Sequence, residues 1–236
     1  MAFLKRVFFG PLVAAAFGLL APMASAATVN IANAGFEGGT SGRPKGYTFG
    51  LQASQLPYSL LGWDTYNGLQ GWTVSGGGGN RVELHAAALL GTSPHGGTYA
   101  ISLDAGTGKN STITQAVSIA AGTYVLSFWY SPESILSGTN TITYNLGNVV
   151  NGLVTVGTSG ARVGVWTEIK VRFSVPTLTT MNLRFAATGT ADGTGGLIDD
   201  ISIISTVPVP AAGFLLAGGL GLLGGARAVR RARRVG

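Results

Sequence analysis

The stretch Gly122-Thr123-Tyr124-Val125-Leu126-Ser127-Phe128-Trp129-Tyr130-Ser131 decides the fold class. Tyr124, Leu126, Phe128 and Tyr130 fall on one parity, and Val125, Ser127, Trp129 and Ser131 on the other. Successive side chains of an extended chain point to opposite faces, so a two-residue period marks a strand with one buried face. The same period recurs on either side of this stretch. It groups Tyr99, Ile101 and Leu103 in 98–104, Ile113, Val117 and Ile119 in 111–119, and Ile142, Tyr144 and Leu146 in 141–146. In 168–175 it sets Ile169, Val171, Phe173 and Val175 against Glu168, Lys170, Arg172 and Ser174, and Met181, Leu183 and Phe185 repeat it. Gly, Asn, Asp and Pro clusters at 76–80, 106–110, 137–140 and 189–196 separate these segments. No part of 27–205 shows a helical period, so this body is expected to be all-β, a sandwich or a barrel.

Charge narrows the function. Charged residues are 10% of the chain, against about 25% in an average soluble domain. The net charge of +6 comes from the two ends: Lys5 and Arg6 at one, Arg227, Arg230, Arg231, Arg233 and Arg234 at the other. Residues 27–205 keep eight cations and all nine acids, a net charge of −1. Such a body has no basic stripe to follow phosphates, which excludes nucleic acid as the partner. The chain has no Cys, which excludes disulfides and thiolate sites, and its two His exclude a multi-histidine zinc centre.

Both ends read as membrane signals. Lys5-Arg6 precede the uncharged run VFFGPLVAAAFGLLA (7–21), and Ala24-Ser25-Ala26 form a small-x-small cleavage site. That order predicts a signal peptide over 1–26, the alternative being an uncleaved anchor. Residues 207–226, VPVPAAGFLLAGGLGLLGGA, carry no charge. As a helix they reach about 30 Å, the thickness of the hydrocarbon layer. Pro208 and Pro210 mark where that helix begins. The arginines that follow stay cytoplasmic by the positive-inside rule, leaving the body outside. Gly213, Ala217, Gly221 and Gly225 form a small-residue stripe suited to close helix approach.

Val207-Pro208-Val209-Pro210-Ala211, then a short apolar span, then Arg227, Arg230, Arg231, Arg233 and Arg234, together resemble a PEP-CTERM sorting signal of the VPLPA-like variety. Val209 stands where the name of the family has Glu. The resemblance implies recognition by an exosortase, removal or exchange of the tail, and delivery to the envelope, surface or matrix of a Gram-negative bacterium that makes exopolysaccharide. Hydropathy alone fits a plain C-terminal anchor as well.

A second resemblance covers the body. Asn33-Ala34-Gly35-Phe36-Glu37, Gly71-Trp72-Thr73-Val74, Ile113-Thr114-Gln115-Ala116-Val117, the Gly122–Phe128 strand and Leu197-Ile198-Asp199-Asp200-Ile201-Ser202-Ile203 resemble, in order, the signature pieces of galactose-binding-like jelly-roll modules. The expected architecture is then a jelly-roll β-sandwich over 27–205, between an N-terminal signal helix and a C-terminal sorting signal over 206–236 made of the Pro motif, a transmembrane helix and the Arg cluster. The resemblance also implies that Glu37, Asp199 and Asp200 help to hold a structural Ca²⁺. Many such modules bind carbohydrate, though fold alone does not fix function.

The residues themselves offer little catalytic chemistry. Gly157-Thr158-Ser159-Gly160-Ala161 misses the nucleophile elbow at its last position, and Gly106–Ser111 lacks the first glycine and the helix of a P-loop. His85 shares parity with Arg81 and Glu83 and is expected to face solvent; His95 lies in a Ser93–Gly97 turn. Sugar rings stack on aromatic faces. Segment 43–72 is expected to be irregular and holds Trp63, Asp64, Tyr66 and Asn67, a mixture of rings and polar groups able to stack and hydrogen-bond. Trp129 joins this candidate set because it stands on the polar parity of its strand, whereas Trp72 is expected to plug the sandwich. Three classes of function stay open: a non-catalytic module binding exopolysaccharide, a self-associating biofilm or surface protein, and a hydrolase with an unrecognised site.

Overall fold

The computed structural model describes residues 26–37, 63–66, 68–76, 80–85, 93–105, 109–136 and 138–206. Ala24 and the tail from Val207 to Arg234 lie outside them, as does Asn67. Among the described residues no helix is long and apolar enough to cross a membrane.

These residues form an all-β sandwich of two antiparallel sheets. In chain order the strands are β1 (Trp63–Tyr66), β2 (Thr73–Gly76), β3 (Val82–His85), β4 (Ala100–Ser102), β5 (Ser111–Ile119), β6 (Gly122–Pro132), β7 (Ile142–Leu146), β8 (Val150–Val154), β9 (Thr167–Val175), β10 (Thr179–Ala187) and β11 (Gly196–Ser205). The six-stranded sheet runs β1-β3-β4-β11-β6-β9 and the five-stranded sheet β2-β5-β10-β7-β8. Thr158–Gly160 is a single 3₁₀ turn, in place of any nucleophile elbow.

The inward parity of each long strand fills the space between the sheets. Phe128 of β6 meets Tyr144 of β7 at 4.9 Å and Phe185 of β10 at 5.0 Å, both edge to face. Trp72, 7% exposed, packs on Phe185 and on Phe36. Edge-to-face aromatic pairs add about 0.5–1.5 kcal/mol beyond their burial, and this cluster joins the two sheets.

The opening motif acts through its turn. Asn33 (φ 51) and Phe36 (φ 60) take left-handed backbone, which drops Phe36 fully into the core. Gln115 holds this turn from β5: its Oε1 accepts the Ala32 N–H at 2.8 Å, and its Nε2 donates to the carbonyls of Ala32 and Gly71. The first and last described segments also pair, Val29 N–H donating to Ile203 O and Ser205 N–H to Ala27 O.

Candidate functional site

The site is built by a bulge in β11. Asp199 stands opposite Trp129, but Ser202 stands opposite Ser127, so β11 carries one extra residue between them. Asp200 takes left-handed backbone at φ 45. The extra residue lets Ile198 and Ile201 both enter the core, three positions apart, while Asp199 and Asp200 both reach the 93–99 loop.

That loop is stitched to carboxylates. Asp199 Oδ2 accepts the N–H groups of His95 (3.0 Å) and Gly96 (3.1 Å), and its Oδ1 accepts the Asp200 N–H at 2.8 Å. Glu37 Oε1 accepts the N–H groups of Thr98 (2.7 Å) and Tyr99 (2.8 Å). Asp200 Oδ2 pairs with His95 Nδ1 at 2.7 Å. Glycine is required at the approach: a Cβ on Gly96 would collide with the Asp200 carboxylate, and one on Gly97 (φ 56) with that of Glu37. Burial pushes the Asp199 carboxyl up to about 7, against three amide donors that favour its charged form. Glu37, Asp199 and Asp200 thus converge on one five-residue segment and offer only oxygen donors, the set a hard cation takes.

The loop also completes an aromatic patch. The His95 imidazole stacks on Trp129 with centroids 3.8 Å apart and planes 16° apart. Trp166 meets the same imidazole edge-on at 5.8 Å and donates its indole N–H to Ser93 O at 2.7 Å. His95 is exposed, and both tryptophans are half-buried. Trp166 and His95 were absent from the aromatic set read from sequence. The one signal for Trp166 is an indole beside the Gly164 turn that opens β9.

The other candidates separate. Trp63 pairs with His85, and the registers of β3, β4, β11 and β6 carry that row to Trp129. Trp63 and Trp129 therefore share the outer face of the six-stranded sheet, but four strand spacings apart, about 19 Å. Tyr66 corrects the sequence reading: it is 1% exposed and belongs to the core, because β1 is a strand within the stretch expected to be irregular. A ring so buried has no face to offer a sugar. Asp64 lies on β1, but its side chain, like Asn67, falls outside the described residues.

His85 is the second correction. Its parity predicts a solvent-facing side chain, yet it is 0% exposed, and all four residues of β3 are buried. Its Nε2 lies 2.8 Å from Glu83 Oε1 and 3.2 Å from Glu133 Oε1. Among the described residues, this is the group that gathers three donor atoms within 4.8 Å of one another; Glu37, Asp199 and Asp200 do not draw together so closely.

No family model matches the chain, and no curated protein matches it. Solved structures similar to it include that of TmCBM61 in complex with β-1,4-galactotriose, 22% identical over 58% of this chain and 89% of that one, with a TM-score of 0.44. A family 16 carbohydrate binding module is 19% identical over 52% and 84%, with a TM-score of 0.38. A cyclase from Fischerella sp. TAU is 16% identical over 78% and 99%, with a TM-score of 0.44.

Proposed function

We propose that this chain is an exported, non-catalytic carbohydrate-binding module that holds matrix exopolysaccharide at the envelope or outer surface of a Gram-negative cell. The observation that supports the reading is the patch of Trp129, His95 and Trp166 beside the Asp200 carboxylate. Aromatic faces suit the C–H surface of a pyranose, and an adjacent carboxylate accepts charge-assisted hydrogen bonds from its hydroxyls. Trp129 already carries His95 on one face, so Trp166 is the better platform of the two. Titration calorimetry of the protein against extracted exopolysaccharide tests this. Trp166→Ala is expected to weaken binding at least tenfold; unchanged affinity in both Trp166→Ala and Trp129→Ala removes the site. Concentration-dependent self-association with no sugar affinity would favour the structural reading instead.

Calcium enters this proposal as a structural ion held by Glu37, Asp199 and Asp200, joining the opening turn to the closing strand. An unchanged melting temperature in EDTA, with Ca²⁺ add-back as control, would remove it. Export rests on the sequence of the two ends: cleavage after Ala26, then recognition of Val207–Ala211, the apolar span and the arginine cluster by an exosortase in the membrane. Fractionating cells that express the chain with and without 207–236 tests this; an unchanged distribution would overturn it.

A further inference from the structure

The Glu83, His85 and Glu133 cluster has no part in the sugar-binding proposal. Glu83 and His85 are two residues apart on β3 and so share the outer face of the six-stranded sheet. Glu133 arrives from the end of β6, and its backbone is fixed there. Its N–H donates to Asn140 Oδ1 at 2.9 Å and to Gly195 O at 3.1 Å, while Asn140 in turn donates to the carbonyls of Ser134 and Leu136. Its side chain is oriented as well: Oε2 accepts the Gly195 N–H at 2.7 Å, which leaves Oε1 turned toward His85 Nε2. All three side chains are 5% exposed or less.

We propose that Glu83 Oε1, His85 Nε2 and Glu133 Oε1 form a binding site for a divalent transition-metal ion of the Zn²⁺ type. Four-coordinate zinc has ligand bonds of about 2.0–2.2 Å to nitrogen and oxygen, which puts neighbouring donor atoms about 3.3 Å apart. Donor atoms all inside 4.8 Å of one another match that scale. An imidazole in the set favours Zn²⁺ over Ca²⁺ and Mg²⁺, which take oxygen.

A second observation points the same way. Asp104, 0% exposed, stands beside this cluster around Gly195, where a Cβ would lie 2.9 Å from Asp104 Cβ and 3.1 Å from Ser102 Oγ. Its Oδ2 accepts the N–H groups of Asp192 and Gly193, but its Oδ1 is buried with no partner. Among the described residues no Lys or Arg pairs with Glu133 or Asp104. Buried carboxylates need a proton or a cation, because an uncompensated buried charge costs several kcal/mol. His85 Nδ1 is buried and lacks a partner as well. A bound ion would take Nε2, and the single proton of the neutral imidazole would sit on Nδ1. In a chain without cysteine, the ion would staple β3 to the end of β6.

The full chain, produced in Zn²⁺-supplemented medium and desalted, is expected to carry one zinc per chain by elemental mass spectrometry. Co²⁺ in place of Zn²⁺ is expected to give visible d–d absorption. Glu133→Gln is expected to lower the affinity at least tenfold, whereas Glu168→Gln, on the surface beside Lys170, leaves the stoichiometry at one. A folded wild-type protein with no bound zinc and no cobalt band overturns the proposal, as does full retention by a folded Glu133→Gln variant. The wild-type cobalt spectrum decides even if the variant fails to fold.

Discussion

Two groups of acids sit on the outer face of one sheet and solve the same problem differently. Asp199 and Glu37 are satisfied by backbone N–H groups of the 93–99 loop. Glu83 and Glu133 both meet the His85 imidazole, and Glu133 also accepts from the Gly195 amide and the Ser102 hydroxyl. Burial pushes one carboxyl in each group up to about 7. The difference lies in what can leave. Amide dipoles are fixed in the chain and cannot be titrated away, so the loop cluster is built into the fold. Glu133 has one amide and otherwise relies on exchangeable species, a proton or an ion, so its share of stability depends on what the medium supplies.

The largest effect is expected where backbone does the work. Gly97→Val places a β-branched side chain at φ 56 and against Glu37. Left-handed strain and the collision together are expected to cost about 3 kcal/mol or more, read as a drop in the urea midpoint. If the loop tolerates valine with a loss below about 1 kcal/mol, the amide-to-carboxylate stitching is not what holds it.

Next, neutralising one acid in each group should give effects of opposite sign. Asp199→Asn turns an NH₂ toward amide donors and is expected to destabilise by about 1–3 kcal/mol. Glu133→Gln keeps the shape and removes a buried charge, so in chelator at pH 8 it is expected to be neutral or stabilising by about 1 kcal/mol. Equal losses in the two variants would erase the distinction.

The pH dependence sharpens the comparison further. The folded values of Asp199 and Glu133, about 7, lie above the roughly 4 of an unfolded carboxyl. Between these values the folded state holds protons that the unfolded chain has released, so both groups make stability fall as the pH rises from about 4 to 7. His85, lowered by burial, acts in the opposite sense, its share of stability being lost as the pH drops. Urea midpoints in EDTA from pH 4.5 to 7.5 are therefore expected to fall less steeply in Asp199→Asn and in Glu133→Gln than in wild type. Identical slopes would show that neither carboxyl is perturbed as described.

What the sequence reveals follows the same division. Strands β5, β6 and β9 are legible because one face meets the core and the other meets water, so a period of two appears in the residues. In β3 the outer face is covered as well, and Glu83 and His85 mimic a wet face while lying buried. Polarity reports solvent only where nothing else satisfies the polar group. The bulge at Asp200 leaves a faint trace, Ile198 and Ile201 three apart where alternation asks for two, but which acid meets which amide depends on a loop a hundred residues away. Tyr66 is not legible as a core residue because β1 is four residues long, too short for its period to emerge from the surrounding stretch.

The smallest effect on stability is expected at Trp166, and that is what makes it informative. It is half-buried, its indole N–H donates to Ser93 O, and its ring meets His95 edge-on. Trp166→Phe keeps a ring and gives up one hydrogen bond, so the loss is expected to be about 1 kcal/mol. The same change frees Ser93 O, loosening the 93–99 loop without touching Asp199 or Glu37. If the carboxylates anchor the loop, amide exchange at Gly96 and Thr98 stays slow in this variant. Fast exchange across 93–99 would mean that the aromatic patch holds the carboxylate cluster together, and not the reverse.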